Sequence, residues 1–260
     1  MVGRMPPFID PMSEYAPDLT GLPALDGQVA LVTGGARGVG LGCTVGLASL
    51  GATVVMLGRD GQHLAQQAAL LVARGLDVVG RVADVTRPED LAAAALALGP
   101  LGQPDVLVCS AGVMSDKTAK TVRTTAAEWD RVMAVNLTGV FATVQAFAAP
   151  MLQRRSGRVI VLSACLGRMS GPGCAGGLAP YRISKAAVNA LVKNFAAEAG
   201  DGRRGVSVDA VCPGHCRTDM GGPDAPRSPA QGADSVLWLA AREQITPTGL
   251  LWEDRQIIPW

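Results

Sequence analysis

Tyr181 and Lys185, in the run Tyr-Arg-Ile-Ser-Lys, stand at i and i+4 and pair a phenol with an ammonium. Residues at that spacing project from one face of a helix. A cation beside a phenol favours the phenolate, so the pair predicts a tyrosine pKa below its ordinary value of about 10. Such a tyrosine exchanges a proton with an alcohol or a carbonyl near neutral pH. The spacing recurs by chance in many helices, so its meaning depends on what accompanies it.

Upstream lies Thr33-Gly34-Gly35-Ala36-Arg37-Gly38-Val39-Gly40, between a β-branched run and an apolar helical one. Glycines there permit a tight turn and let backbone approach a pyrophosphate at a helix N-terminus. The pattern predicts a dinucleotide site touched by Gly34, Ala36, Arg37, Gly38, Val39 and Gly40. The second β-branched run ends Leu57-Gly58-Arg59-Asp60. A carboxylate directly after that strand would accept from the ribose hydroxyls and repel a 2′-phosphate. Glycine takes that place, and Arg59 with Arg37 offers two guanidiniums to a phosphate dianion. NADP(H) is therefore favoured, while Asp60, one place further on, leaves NAD(H) open.

The elements that must position these groups are legible as alternation. β-Branched runs at 28–33, 53–57, 77–82, 105–110, 158–163 and 206–212 take turns with Ala/Leu-rich segments at 38–50, 61–74, 88–98, 124–154 and about 180–199. Nearly continuous apolar strands mark a parallel sheet covered on both faces. The fold expected is α/β: a single-domain, doubly wound Rossmann fold with a central, mostly parallel sheet and helices on both faces. Residues 27–260 form that domain, and residues 1–26, rich in proline and acidic groups, form an N-terminal arm.

Composition excludes several function classes. The 260 residues are 48% hydrophobic, 4% aromatic and carry a net charge of +1, which gives no electrostatic reason to expect nucleic acid. No apolar stretch approaches the roughly 20 residues that span a bilayer, so no membrane partner is expected. The N-terminus lacks the apolar core of a signal peptide, which suggests a cytoplasmic protein. The six cysteines show no Cys-x-x-Cys pair and no zinc-finger histidine spacing. They read as reduced thiols, with no metal site.

With Thr-Gly-x-x-x-Gly-x-Gly at 33–40 and Tyr-x-x-x-Lys at 181–185, the chain resembles the short-chain dehydrogenase/reductases from about residue 26 onward. Asp84-Val85 looks like the family's adenine contact. Ala111-Gly112 matches part of its Asn-Asn-Ala-Gly segment, with Cys109-Ser110 in place of the two asparagines. Asn136 matches the asparagine that holds a relay water, and Pro213-Gly214 with Thr218 matches the loop that contacts the nicotinamide carboxamide. Residues 213–220, Gly222-Pro223, the Arg-Ser-Pro at 227–229 and Gly232-Ala233 look like the family's carbonyl reductases. The resemblance implies hydride transfer between a nicotinamide and a carbonyl carbon. Tyr181 would be the acid or base, Lys185 would lower its pKa and bind ribose, and Asn136 would link the lysine to solvent. It also implies a homo-dimer or homo-tetramer, assembled through the segment 124–154 and the catalytic helix.

One position departs from the family. Aligned without gaps on Gly157-Arg158 and Gly167, the expected substrate-binding serine falls on Ala164, and Ser163 stands one place early. Strand side chains alternate faces, so Ser163 should point away from the site. Three readings compete: a bulged strand end lets Ser163 serve; Ser110, Ser170 or Ser184 replaces it; or the chemistry is diverted to a non-redox step. The segment 164–180, with five glycines and two prolines, should border the substrate, and 215–228 should form the opposite wall. His215 reads as a solvated loop residue, and His63 as a surface residue with no nameable partner. Trp129, Phe141 and Phe147 read as core or subunit-contact residues, and the terminal Ile-Ile-Pro-Trp as a packed tail.

The function expected is NADP(H)-dependent interconversion of a small, moderately apolar ketone and its alcohol, in biosynthetic secondary metabolism. The alternatives are a dehydration, epimerisation or cyclisation on the same scaffold, and an NADP(H)-binding regulator without turnover.

Overall fold

A computed structural model describes residues 12–171 and 175–260; residues 1–11 of the arm and Pro172-Gly173-Cys174 of the 164–180 segment lie outside the described residues. Six parallel strands follow the apolar runs closely: β1 (Val29–Thr33), β2 (Thr53–Gly58), β3 (Val78–Val82), β4 (Val106–Cys109), β5 (Gly157–Leu162) and β6 (Val206–Val211). Between the first four lie α1 (Gly38–Ser49), α2 (Gly61–Val72) and α3 (Pro88–Leu96). The sheet order β3-β2-β1-β4-β5-β6 reverses direction beside β1 and β4. That crevice is where an open α/β sheet binds ligands, outside the carboxyl ends of its strands.

Two short strands extend this sheet beyond the sequence reading. β7 (Leu251–Glu253) joins β6 in parallel, and β8 (Gln256–Ile258) pairs antiparallel with β7. The terminal segment is thus a paired edge through Ile258 rather than only a tail. The stretch 124–154 is likewise not one helix. It divides into α4 (Ala126–Met133), a π-helical turn at Ala134–Thr138, α5 (Gly139–Phe147) and α6 (Ala149–Arg154). α7 (Ala179–Glu198) carries Tyr181 and Lys185, and α8 (Pro229–Ala241) begins with a capping box between Ser228 and Gln231.

Each sheet face has its own core. One joins the strands to α1, α2 and α8 through Leu47, Leu71 and Leu237; the other joins them to α3, α5 and α7 through Leu91, Phe147 and Val192. Phe147 is fully buried, whereas Trp129 and Phe141 are 37% and 46% exposed and belong to no core in this chain. The described part of the arm packs on the first core through Met12, Tyr15, Leu19 and Leu22, and Glu14 pairs with Arg217 at 3.1 Å. Among the described residues no helix is long and apolar enough to cross a membrane.

The reduced-thiol expectation needs correction. Cys165 and Cys212 form a disulfide with their Cα atoms 5.6 Å apart, within the common disulfide range. Cys43, Cys109 and Cys216 are free and buried. The pair is 47 residues apart in sequence and meets only because β5 and β6 end side by side, which no local spacing announces.

Candidate active site

A cleft of about 710 Å³ runs along the carboxyl edge of the sheet. The predicted cofactor residues, with Tyr181, Lys185 and Ser163, border it, except Asn136, which is buried, and Gly214. At one end the turn after β1 leads directly into α1, whose first residues Gly38, Val39 and Gly40 line the cleft, and the first N–H groups of a helix have no partner within it. A Cβ at Gly40 would collide with the Gly34 carbonyl and stand 2.9 Å from Ser110 Oγ. The cradle therefore exists only with glycine there, and its open backbone suits a pyrophosphate.

The two arginines do not stand free. Arg37 Nη2 lies 3.0 Å from Asp60 Oδ2, and Arg59 Nη1 lies 3.8 Å from Asp84 Oδ2. Both guanidiniums are more than half exposed, so these pairings are weak and readily exchanged for a ligand. His63, expected at the surface without a partner, is half-buried, and its Nε2 meets the Ala36 carbonyl at 3.0 Å. Asp60 caps α2 by accepting from the His63 backbone N–H at 3.0 Å. The turn Gly58-Arg59-Asp60 and the glycine loop are thereby locked together. The Asp-x-x-His spacing at 60–63, a helix cap, was the available signal for this.

At the other end stand Tyr181 and Lys185, with Asn136 buried nearby. Asn136 sits in the π-helical turn, a frequent companion of functional sites. Its Oδ1 accepts from Val113 N at 2.8 Å, and its Nδ2 donates to Val113 O at 3.0 Å and Ser184 Oγ at 3.1 Å. Ser184 Oγ donates to the Tyr181 carbonyl at 2.7 Å. Lys185 Nζ donates to the Leu162 carbonyl at 2.6 Å and lies 5.9 Å from the Tyr181 ring centre.

These observations decide the family: a glycine loop between β1 and α1, Asn136 in a helical turn, and Tyr181 and Lys185 on α7 along one cleft. The family model described as short chain dehydrogenase matches residues 28–228. The chain is a short-chain dehydrogenase. It is similar to the galactitol 2-dehydrogenase of Rhizobium johnstonii, 41% identical over 200 residues that cover 75% of this chain and 74% of that protein. It is also similar to the gluconate 5-dehydrogenase of Gluconobacter oxydans, 34% identical over 76% of this chain and 74% of that protein. Among solved structures it resembles a gluconate 5-dehydrogenase from Burkholderia cenocepacia in complex with NADP and tartrate. There the TM-score is 0.79 at 27% identity, covering 88% of this chain and 94% of that one. Short-chain dehydrogenases use nicotinamide cofactors, and this one is an oxidoreductase of CH–OH and C=O groups.

Within this short-chain dehydrogenase the tyrosine is not tuned as expected. Burial pushes the Tyr181 phenol up to about 12. Burial also brings Lys185 down to about 8, opposed in part by Cys109. The ammonium donates to the Leu162 carbonyl rather than to the phenol oxygen, so burial is left to set the direction at Tyr181. The shift favours the protonated phenol at neutral pH.

Strand alternation predicts that Ser163 turns away from the site, but Ser163 lines the cleft and Ala164 does not. β5 keeps an unbroken register with β6 through Leu162↔Val211, and Ser163 N continues the ladder to Val211 O at 2.8 Å. Ser163 borders the cleft, yet its Oγ donates to Asn189 Oδ1 at 2.5 Å on α7. Of the other serines, Ser184 is occupied within α7, and Ser170 Oγ donates to the Trp260 carbonyl at 3.4 Å. Ser110 alone of the three borders the cleft, at the glycine-loop side. His215 Nε2 meets the Gly221 carbonyl at 2.8 Å and closes its own exposed loop.

Proposed function

We propose that this short-chain dehydrogenase uses NADP(H) to interconvert a small, moderately apolar ketone and its secondary alcohol, with Tyr181 as the proton donor or acceptor. The observation that carries the reading is the single cleft joining Arg37 and Arg59 at one end to Tyr181 and Lys185 at the other. The two guanidiniums suit a 2′-phosphate, and the NADP complex of the Burkholderia cenocepacia relative supports the preference. Val113, Leu162 and Met220 line the cleft and favour an uncharged substrate.

When bound, the cofactor supplies or takes the hydride. Tyr181 Oη gives its proton to the carbonyl oxygen in reduction and recovers it in oxidation. Lys185, whose pKa of about 8 keeps it largely protonated at neutral pH, holds positive charge near the developing phenolate. Asn136 anchors the helical turn to Val113 and to α7, which keeps the tyrosine and lysine in register. We also propose a homo-oligomer, supported by the exposed Trp129 on α4 and Phe141 on α5.

Tyr181→Phe should lower turnover by roughly 10²–10⁴-fold, the usual worth of a positioned general acid. The variant should still bind NADPH, and more tightly than NADH, in a fluorescence titration. Retained turnover would remove Tyr181 from the chemistry. The Ala164 substitution favours a second reading, a non-redox step on the same scaffold; turnover without net change in NADPH absorbance would select it.

A further inference from the structure

Cys165 opens the turn that follows β5, and Cys212 directly follows β6. A third group stands beside the disulfide. Glu253, the last residue of β7, places Oε2 3.3 Å from Cys165 Sγ and Oε1 3.7 Å from Cys212 Sγ. The Cys165 backbone N–H points at Cys212 Sγ from 3.0 Å. Cys165 and Glu253 are half-buried, while Cys212 is buried. Arg227, forked onto Asp254 at 2.6 and 2.7 Å, lies 3.9 Å from the Glu253 carboxylate.

A purely structural disulfide has no use for a carboxylate against both sulfurs. A dithiol does, because one carboxylate can accept from two S–H groups. The site therefore accommodates the bonded and the open state. Its position gives the bond a consequence. Cys165 follows Ala164, where the family's serine is missing, and Cys212 precedes Pro213, so the bond ties together two segments whose neighbours Ser163 and Pro213 border the cleft.

We propose that Cys165, Cys212 and Glu253 form a thiol–disulfide exchange site for small-molecule thiols and disulfides, which fixes the Tyr181 end of the cleft when oxidised. In oxidation, Glu253 takes the proton of the more accessible Cys165 thiol. The Cys165 thiolate attacks one sulfur of a reagent disulfide, whose S–S bond breaks to release one thiolate. Cys212, deprotonated in turn, attacks Cys165 Sγ; the mixed disulfide breaks and releases the second thiolate. Both released thiolates take up the protons lost by the protein. Two protein thiols are oxidised, and one reagent disulfide is reduced to two thiols. Reduction by excess thiol runs the same steps backwards.

The test uses the full chain with glutathione and glutathione disulfide as probes. Native protein equilibrated with excess glutathione disulfide should show two fewer alkylatable thiols on denaturation than protein equilibrated with excess glutathione. Mass spectrometry should place the link between Cys165 and Cys212, and graded mixtures should give graded fractions. Closure of this 47-residue separation should raise Tm by about 5–10 °C. Glu253→Gln should slow disulfide formation roughly tenfold or more without lowering its final extent. The wild-type chain carries the mapping, so the result does not depend on a cysteine variant folding. A bond that resists excess glutathione in the native protein would overturn the proposal, as would a pair never linked by glutathione disulfide. Stoichiometric Zn²⁺ binding by the reduced trio that blocks linking would overturn it in favour of a metal site. An unchanged rate in Glu253→Gln would overturn the role of the carboxylate.

Discussion

The two halves of the cleft are built by different means. On the nucleotide side, β1, β2 and their loops hold the site with backbone: glycines where no Cβ fits, a helix N-terminus, and a cap from Asp60. On the substrate side, β5, β6 and α7 hold it with side chains. Asn136 reaches Ser184, Ser163 reaches Asn189, Lys185 reaches Leu162, and Cys165 is bonded to Cys212. The glycine at 167 in this half serves packing: a Cβ there would stand 2.7 Å from Lys185 Cβ and push the β5 turn off α7. A backbone-built half tolerates change at side chains and fails when a glycine is replaced. A side-chain-built half should be sensitive to single polar substitutions, and its chemistry can be altered one residue at a time.

The largest expected effect tests the side-chain-built half at its base. Asp209, 1% exposed in β6, accepts from Arg242 at 3.2 Å and from Trp252 Nε1 at 3.0 Å. The Arg242 guanidinium stacks on Trp238 and Trp252, with ring centres 5.0 and 5.1 Å away. Arg242→Ala would leave a buried carboxylate uncompensated and strip the stacked cation from both rings. The expected loss is about 3–5 kcal/mol in denaturant unfolding. Burial already raises the Asp209 pKa, opposed by Trp252 and Arg242. The loss should therefore shrink as pH falls and Asp209 protonates. A loss below about 1 kcal/mol at pH 7 would mean that this half does not depend on its buried polar contacts.

A smaller effect, of opposite sign, is expected at Lys185. Its pKa falls from 10.5 to about 8 on folding, so at pH 7 burial of the charge costs about 3 kcal/mol. The unfolded chain binds the extra proton between those values, so this group makes stability rise from about pH 8 to pH 10.5. Tyr181 contributes the reverse slope above pH 10, because its pKa is raised to about 12. Lys185→Met removes the charge and also the bond to Leu162, worth about 1–2 kcal/mol. The variant should be inactive yet about 1–2 kcal/mol more stable at pH 7, with the gap closing above pH 10.5. Urea unfolding at pH 7 and pH 10.5 measures both; a destabilised variant at pH 7 would show that the lysine is held without strain.

Legibility in the sequence follows the same division. The six long strands were readable because parallel strands buried on both faces appear as continuous apolar runs. The glycine loop was readable because its contacts are local. β7 and β8, at three residues each, are too short to show a period, and they exist because β6 offers an edge to pair. α8 did carry a local signal, Ser228-Pro229 followed by Gln231, which matches its capping box. The direction of the Tyr181 pKa was not legible, because spacing shows that two charges are near but not which way the ammonium turns. The disulfide and the Ser163–Asn189 bond join residues far apart in sequence and depend on which strand ends adjoin.

The smallest effect separates two adjacent residues that the comparison treats oppositely. Ser163 Oγ faces α7, where it donates to Asn189. Ser163→Ala should therefore cost about 1 kcal/mol of stability, the usual worth of a buried hydrogen bond, and change kcat/KM less than threefold. Ala164 is half-buried on the opposite alternation and follows the last ladder residue. Ala164 is not among the residues that line the cleft, so Ala164→Ser restores only the family's residue type there and should fold normally. A donor to the reacting oxygen is worth up to 10²–10³ in kcat where the site is built around it. Residue 164 lies off the cleft, so a change of less than about threefold in ketone reduction is the expectation. If Ser163→Ala instead removed most activity, its hydroxyl would have to turn from Asn189 to the reacting oxygen when substrate binds, and the substrate-side half would be the mobile one.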